Sequence, residues 1–85
     1  MNAEPFVSRI LDDEGLIGDL EGDAAEKLIG WLVKRAEQIA AKAKSDAAAR
    51  TDIESLCKRG REYAANAVKH PDPEAALDSL LAKEA

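Results

Sequence analysis

Hydrophobic positions along this 85-residue chain recur mainly at intervals of three and four, with no stretch alternating at a period of two long enough to be a strand, and they fall into four separate blocks. The longest block runs from Asp23 to Lys44. On a wheel of 100° per residue, Ala24, Leu28, Ile29, Leu32, Val33, Ala36, Ile39, Ala40 and Ala43 cover roughly half the circumference, and Trp31 extends that arc at its edge. An arc this wide needs neighbours on more than one side. The segment is therefore either the central strut of a small bundle or a helix shared with a second copy or another partner.

The other blocks are shorter and bounded by recognisable punctuation. The first opens near Pro5, whose fixed φ suits an early helical position, carries Phe6, Val7, Ile10 and Leu11, and is expected to stop at Gly15. The connector from Gly15 to Gly22 holds three glycines but also Leu16, Ile17 and Leu20, which are too apolar for a free linker and are expected to tuck under the bundle. Asp23 followed by Glu26 reads as the acidic variant of a capping box, so the second helix is expected to start there.

Two caps compete for the start of the third helix, Ser45 with Asp46 and Thr51 with Glu54. That helix presents Ile53, Leu56, Cys57, Gly60, Ala64, Ala67 and Val68, with Tyr63 at the edge, over roughly 140°. It must end near His70, because Pro71 disfavours helical geometry in the residue before it. Asp72 and Pro73 then supply a cap and a first-turn proline for a short fourth helix bearing Ala76, Leu77, Leu80 and Leu81. The spacing thus predicts an all-α fold, a small bundle of three to four helices with short antiparallel connections. Residues 1–85 read as a single helical domain, with helices at about 4–14, 23–44, 47–69 and 73–83.

Charge changes this picture by its distribution more than by its sum of −5. Residues 1–26 carry −7, residues 27–61 carry +5 and residues 62–85 carry −3. Acidic and basic segments are expected to face each other within the fold or across a dimer. One arrangement on the second helix stands out: Lys27, Trp31, Lys34, Arg35, Gln38 and Lys42 lie within roughly 100° of one another. Their stems are expected to cover Trp31 while their charges pair with the acidic first segment. The sharper reading adds Lys58, Arg59 and Arg61 and makes the stripe a surface for an acidic protein or a nucleic-acid backbone. Nucleic acid is disfavoured, since the chain is acidic overall and a lone indole is a poor stacking platform.

Candidate chemistry is sparse. The acids Asp12, Asp13, Glu14, Asp19, Glu21 and Asp23 do not match a calcium loop: counted from Asp19, the glycine and terminal glutamate positions hold Ala24 and Gly30. The single Cys57 excludes an intramolecular disulfide, points to a reducing cytoplasm, and lies thirteen residues from His70 with no third group to orient an imidazole. The glycines at 15, 18 and 22 follow no strand and form no phosphate cradle. No apolar run approaches the length of a membrane span or a signal peptide. No enzyme, metal or cofactor is expected. A small domain leaves much of its surface exposed, so the expectation is a protein-association module, homo-oligomeric or with a protein partner. Its interface is expected to be the arc of Leu28, Ile29, Trp31, Leu32, Val33 and Ile39. The alternative is a small nucleic-acid-binding or regulatory domain working through Lys27, Lys34, Arg35 and Lys42.

Overall fold

The structure, a computed structural model in which residues 2–13 and 15–84 are described, consists of four helices, with no strand among the described residues. These are α1 (Glu4–Asp12), α2 (Gly22–Lys42), α3 (Asp46–Ala67) and α4 (Pro73–Ala82). The fold is the small all-α bundle that the periodicity predicts. Glu14, where the first helix is expected to end, lies outside the described residues.

Local sequence accounts for most boundaries. Ser45 wins the competition at the α2–α3 corner: its backbone is extended and its Oγ accepts from the Ala48 amide at 3.2 Å. Thr51 is then a residue inside the helix, where its hydroxyl donates to the Ala47 carbonyl. Asp72 caps α4 through the Ala75 amide at 3.2 Å, ahead of Pro73. The expected cap at Asp23 is corrected to Glu21. Gly22 adopts a φ of +64°, which turns the chain into the helix before Asp23 is reached. Asp23 consequently stands in the first turn, where its carboxylate complements the positive end of the helix dipole.

Packing is organised around α2 and α3. Both flanking helices, α1 and α4, rest against this pair without touching each other. The largest wholly buried side chains are Leu28 and Leu32 of α2, Ile53, Leu56 and Cys57 of α3, Leu77 of α4 and Leu16 of the connector. The connector is tucked in as its composition predicts, with Leu16 and Leu20 buried and Ile17 half-buried. Gly18, at φ +54°, supplies the turn that lets both leucines reach the core.

The crossing of α2 and α3 depends on Gly60. A Cβ at that position would stand 3.0 and 3.1 Å from the two methyls of Leu32 and 3.5 Å from a methyl of Leu16. Gly30, by contrast, faces open space. Substitution at the two positions should therefore shift stability in opposite directions. In denaturant unfolding, Gly30→Ala is expected to stabilise by up to about 1 kcal/mol, through helix propensity alone. Gly60→Val is expected to destabilise by about 2 kcal/mol, because the buried Leu32 has nowhere to move.

Candidate functional site

The basic stripe of α2 is brought against α4, not against the acidic first segment. α4 runs alongside α2 so that Lys27 meets Asp78 in a salt bridge and Glu74 at 3.5 Å. Two turns along α2, Arg35 reaches Glu84, just beyond the end of α4, donating to its main-chain carbonyl with the side-chain carboxylate at 3.8 Å. The expected pairing with residues 1–26 is thus corrected. The one salt bridge from that segment among the described residues joins Asp13 to Arg61, at 3.0 Å. The reason is connectivity: the five-residue link between α3 and α4 lays the last acids directly along α2, while α1 packs without touching α4.

Glu84 is the centre of the most built-up polar cluster. Its Oε2 accepts from Nη1 of Arg59 at 2.7 Å, and its Oε1 accepts from the Tyr63 hydroxyl. Only 16% of its side chain is exposed. Trp31 closes the cluster, its ring 5.8 Å from that of Tyr63 at 57° and the Arg35 guanidinium 5.6 Å from its centroid. Nε of Arg59 is buried there with no hydrogen-bond partner. The hydrogen bond to the Glu84 carboxylate, helped by burial, holds the Tyr63 phenol above its ordinary pKa. A groove of about 270 Å³, lined by Trp31, Lys34, Arg35, Gln38 and Glu84, opens beside this cluster.

The expected interface residues divide. Leu28 and Leu32 are fully enclosed by the chain's own helices, so they are core residues and not available to a second copy docking on this surface. Ile29, Trp31, Val33 and Ile39 are half-buried at the edges of the same arc. The physical reason is that α1, α3 and α4 together cover the centre of the arc and leave its margins. Of the stripe, Lys27 and Arg35 are paired, while Lys34 and Lys42 are exposed.

Sequence reading missed Glu74, Asp78 and Glu84 as the stripe's partners, and Arg59 and Tyr63 as members of the cluster. The four-residue spacing of Glu74 and Asp78, on the one acidic block after the basic middle, was the available signal. Cys57 and His70 are not brought together: Cys57 is buried, with burial raising its thiol pKa, and His70 is exposed in the turn after α3. Among the described residues no group of three or more His, Cys, Asp and Glu side chains is placed to hold a metal, and no helix is long and apolar enough to cross a membrane.

The chain has one tyrosine, so phenolate absorbance reports Tyr63 alone. Its titration midpoint is expected above the ordinary value of about 10, and Glu84→Gln should bring it down towards that value. Because the folded-state pKa is the raised one, the contact stabilises fully below the ordinary tyrosine value and is lost as pH rises through the elevated midpoint. The same substitution should cost about 1 kcal/mol in unfolding, the scale of a partly exposed charged contact. Comparison with protein-family models, with curated proteins and with solved structures finds no match for this chain, so the site stands on its own residues.

Proposed function

We propose that this chain is a non-enzymatic helical protein-association module that joins to a second copy of itself. The observation that carries the reading is unfinished burial. With three helices packed on α2, Ile29, Trp31, Val33 and Ile39 still keep part of their surface in water, and Leu11 and Val68 are 58% and 41% exposed. The accessible surface is 5349 Å², against roughly 4,900 Å² for a typical folded monomer of this mass. Association is the ordinary way for a domain this small to remove the excess. A buried, protonated Cys57 suits a reducing, cytoplasmic setting.

The nucleic-acid alternative has less support. Lys27, Arg35, Arg59 and Arg61 are already engaged by carboxylates, which leaves Lys34, Lys42, Lys44, Arg50 and Lys58 as the exposed cations outside these ion pairs among residues 27–61, spread over two helices and the corner between them.

Light scattering across a concentration series, at low and moderate salt, tests the proposal. The expected mass is twice the 9.1 kDa of one chain, with little change on adding salt, because apolar burial is not screened. A monomer at every concentration would overturn it.

A further inference from the structure

We infer that the open half of the α2–α3 seam, from Arg35 to Lys42, is a docking surface for an acidic peptide segment of a partner protein, one that sets an apolar side chain between carboxylates. Ile39 is the first sign. On the helical wheel it falls between Leu28 and Leu32, both fully buried, yet it is only half-buried itself. Ala43, at the end of the helix, stands in the same relation to Leu32 and Ala36. These two are margins along the helix, not around it. α4 and its tail follow α2 from Lys27 only as far as Arg35, whereas α2 runs on to Lys42. Beyond Arg35 no element covers the seam on this side, and a hollow of about 240 Å³ remains, lined in part by Ile39 and Ala43.

The rim of this hollow is cationic. Arg35, Lys42 and Arg59 line it, and the groove beside Trp31, which meets it at Arg35 and Gln38, adds Lys34. Glu84 answers the two arginines without saturating them. Arg35 donates to the Glu84 main-chain carbonyl alone among the described residues, and Nε of Arg59 has no partner. Lys34 and Lys42 make no ion pair among the described residues. Glu84 is already shared, so Asp52 is the one opposing charge left on the rim, and the seam stays positive.

The covered half of the seam shows what such a surface holds. There Glu74, Asp78 and Glu84 meet Lys27, Arg35 and Arg59, while Leu77 is buried between them. The open half continues the same arrangement of apolar floor and flanking bases, and the chain's own α4 is already seated on the first. From Arg35 to Lys42 the seam is about 10 Å long, room for two helical turns or three extended residues. A phosphodiester backbone would answer the bases but offers nothing to Ile39 and Ala43, so a peptide is the better fit.

The test is an NMR titration of the nitrogen-labelled chain with a blocked peptide of two glutamates, two leucines and two glutamates, at low and at moderate salt. The amides of Gln38, Ile39, Lys42, Ala43 and Arg59 are expected to shift together and to saturate, with weaker binding as salt rises. Lys42→Glu should weaken binding roughly tenfold and Asp52→Asn should tighten it about twofold. Both positions are exposed and lie outside the ion pairs of the fold, so the variants keep the structure. A peptide with serine in place of leucine should bind several-fold more weakly, having nothing to bury on Ile39. No shift at about 1 mM peptide, or shifts indifferent to Lys42→Glu, would overturn the proposal. Equal binding of the serine peptide, or of an oligothymidylate of the same charge, would overturn it in favour of an unselective anion surface. Shifts of the same amides on dilution without peptide would assign the seam to a second copy and overturn the partner. Self-association is read separately from the mass in light scattering, so a monomeric chain that binds the peptide would leave this inference standing.

Discussion

The close crossing of α2 and α3 at Gly60 is the contact on which the other parts rest. With no side chain at that position, the methyls of Leu32 approach the α3 backbone, and Leu16 of the connector fills the remaining space. The two long helices thereby form one platform, and their separation sets the positions of everything laid on it. Arg35 and Arg59 lie on different helices, yet at this spacing both reach one carboxylate. A wider crossing would separate the two guanidinium groups as surely as it would open the core.

The platform also explains how charge is used. Like-charged bases on neighbouring helices repel, and here acids from the adjoining elements sit between or beside them: Glu84 between Arg35 and Arg59, Asp78 and Glu74 at Lys27, Asp13 at Arg61. These pairs are partly solvated and contribute modestly one by one. Glu84 differs because Tyr63 and Trp31 shield it, so its hydrogen bonds act in a less watery surrounding. The seam between α4 and the platform is therefore polar at both ends and apolar in the middle at Leu77, a design that fixes register without demanding a large buried area.

Helices were legible where the determinants are local. Pro5, Asp72 and Pro73 mark boundaries by backbone chemistry that needs no tertiary partner, and the three-and-four spacing needs only the helix period, whereas the choice of Ser45 over Thr51 as the cap of α3 came only with the structure. The start of α2 was misread because Asp23 and Glu26 make a good cap on paper, while the turn into the helix is made by Gly22 in a conformation that sequence does not display. At the site, membership of the stripe was legible from the wheel, but its partners were not. An acidic block precedes the basic middle and another follows it, and choosing between them requires knowing which end of the bundle each helix reaches.

The sequence by itself determined that this chain is helical and that its middle bears the positive charge, since each follows from residue spacing and composition, while it left the second helix as either a central strut or one shared with a partner. Only the tertiary structure decided that Leu28 and Leu32 belong to the core while Ile29 and Val33 remain at the margin. All four lie within one apolar arc, and a wheel cannot distinguish its covered centre from its open edge. The distinction is made by where α1, α3 and α4 come to rest, which depends on contacts between residues far apart in sequence.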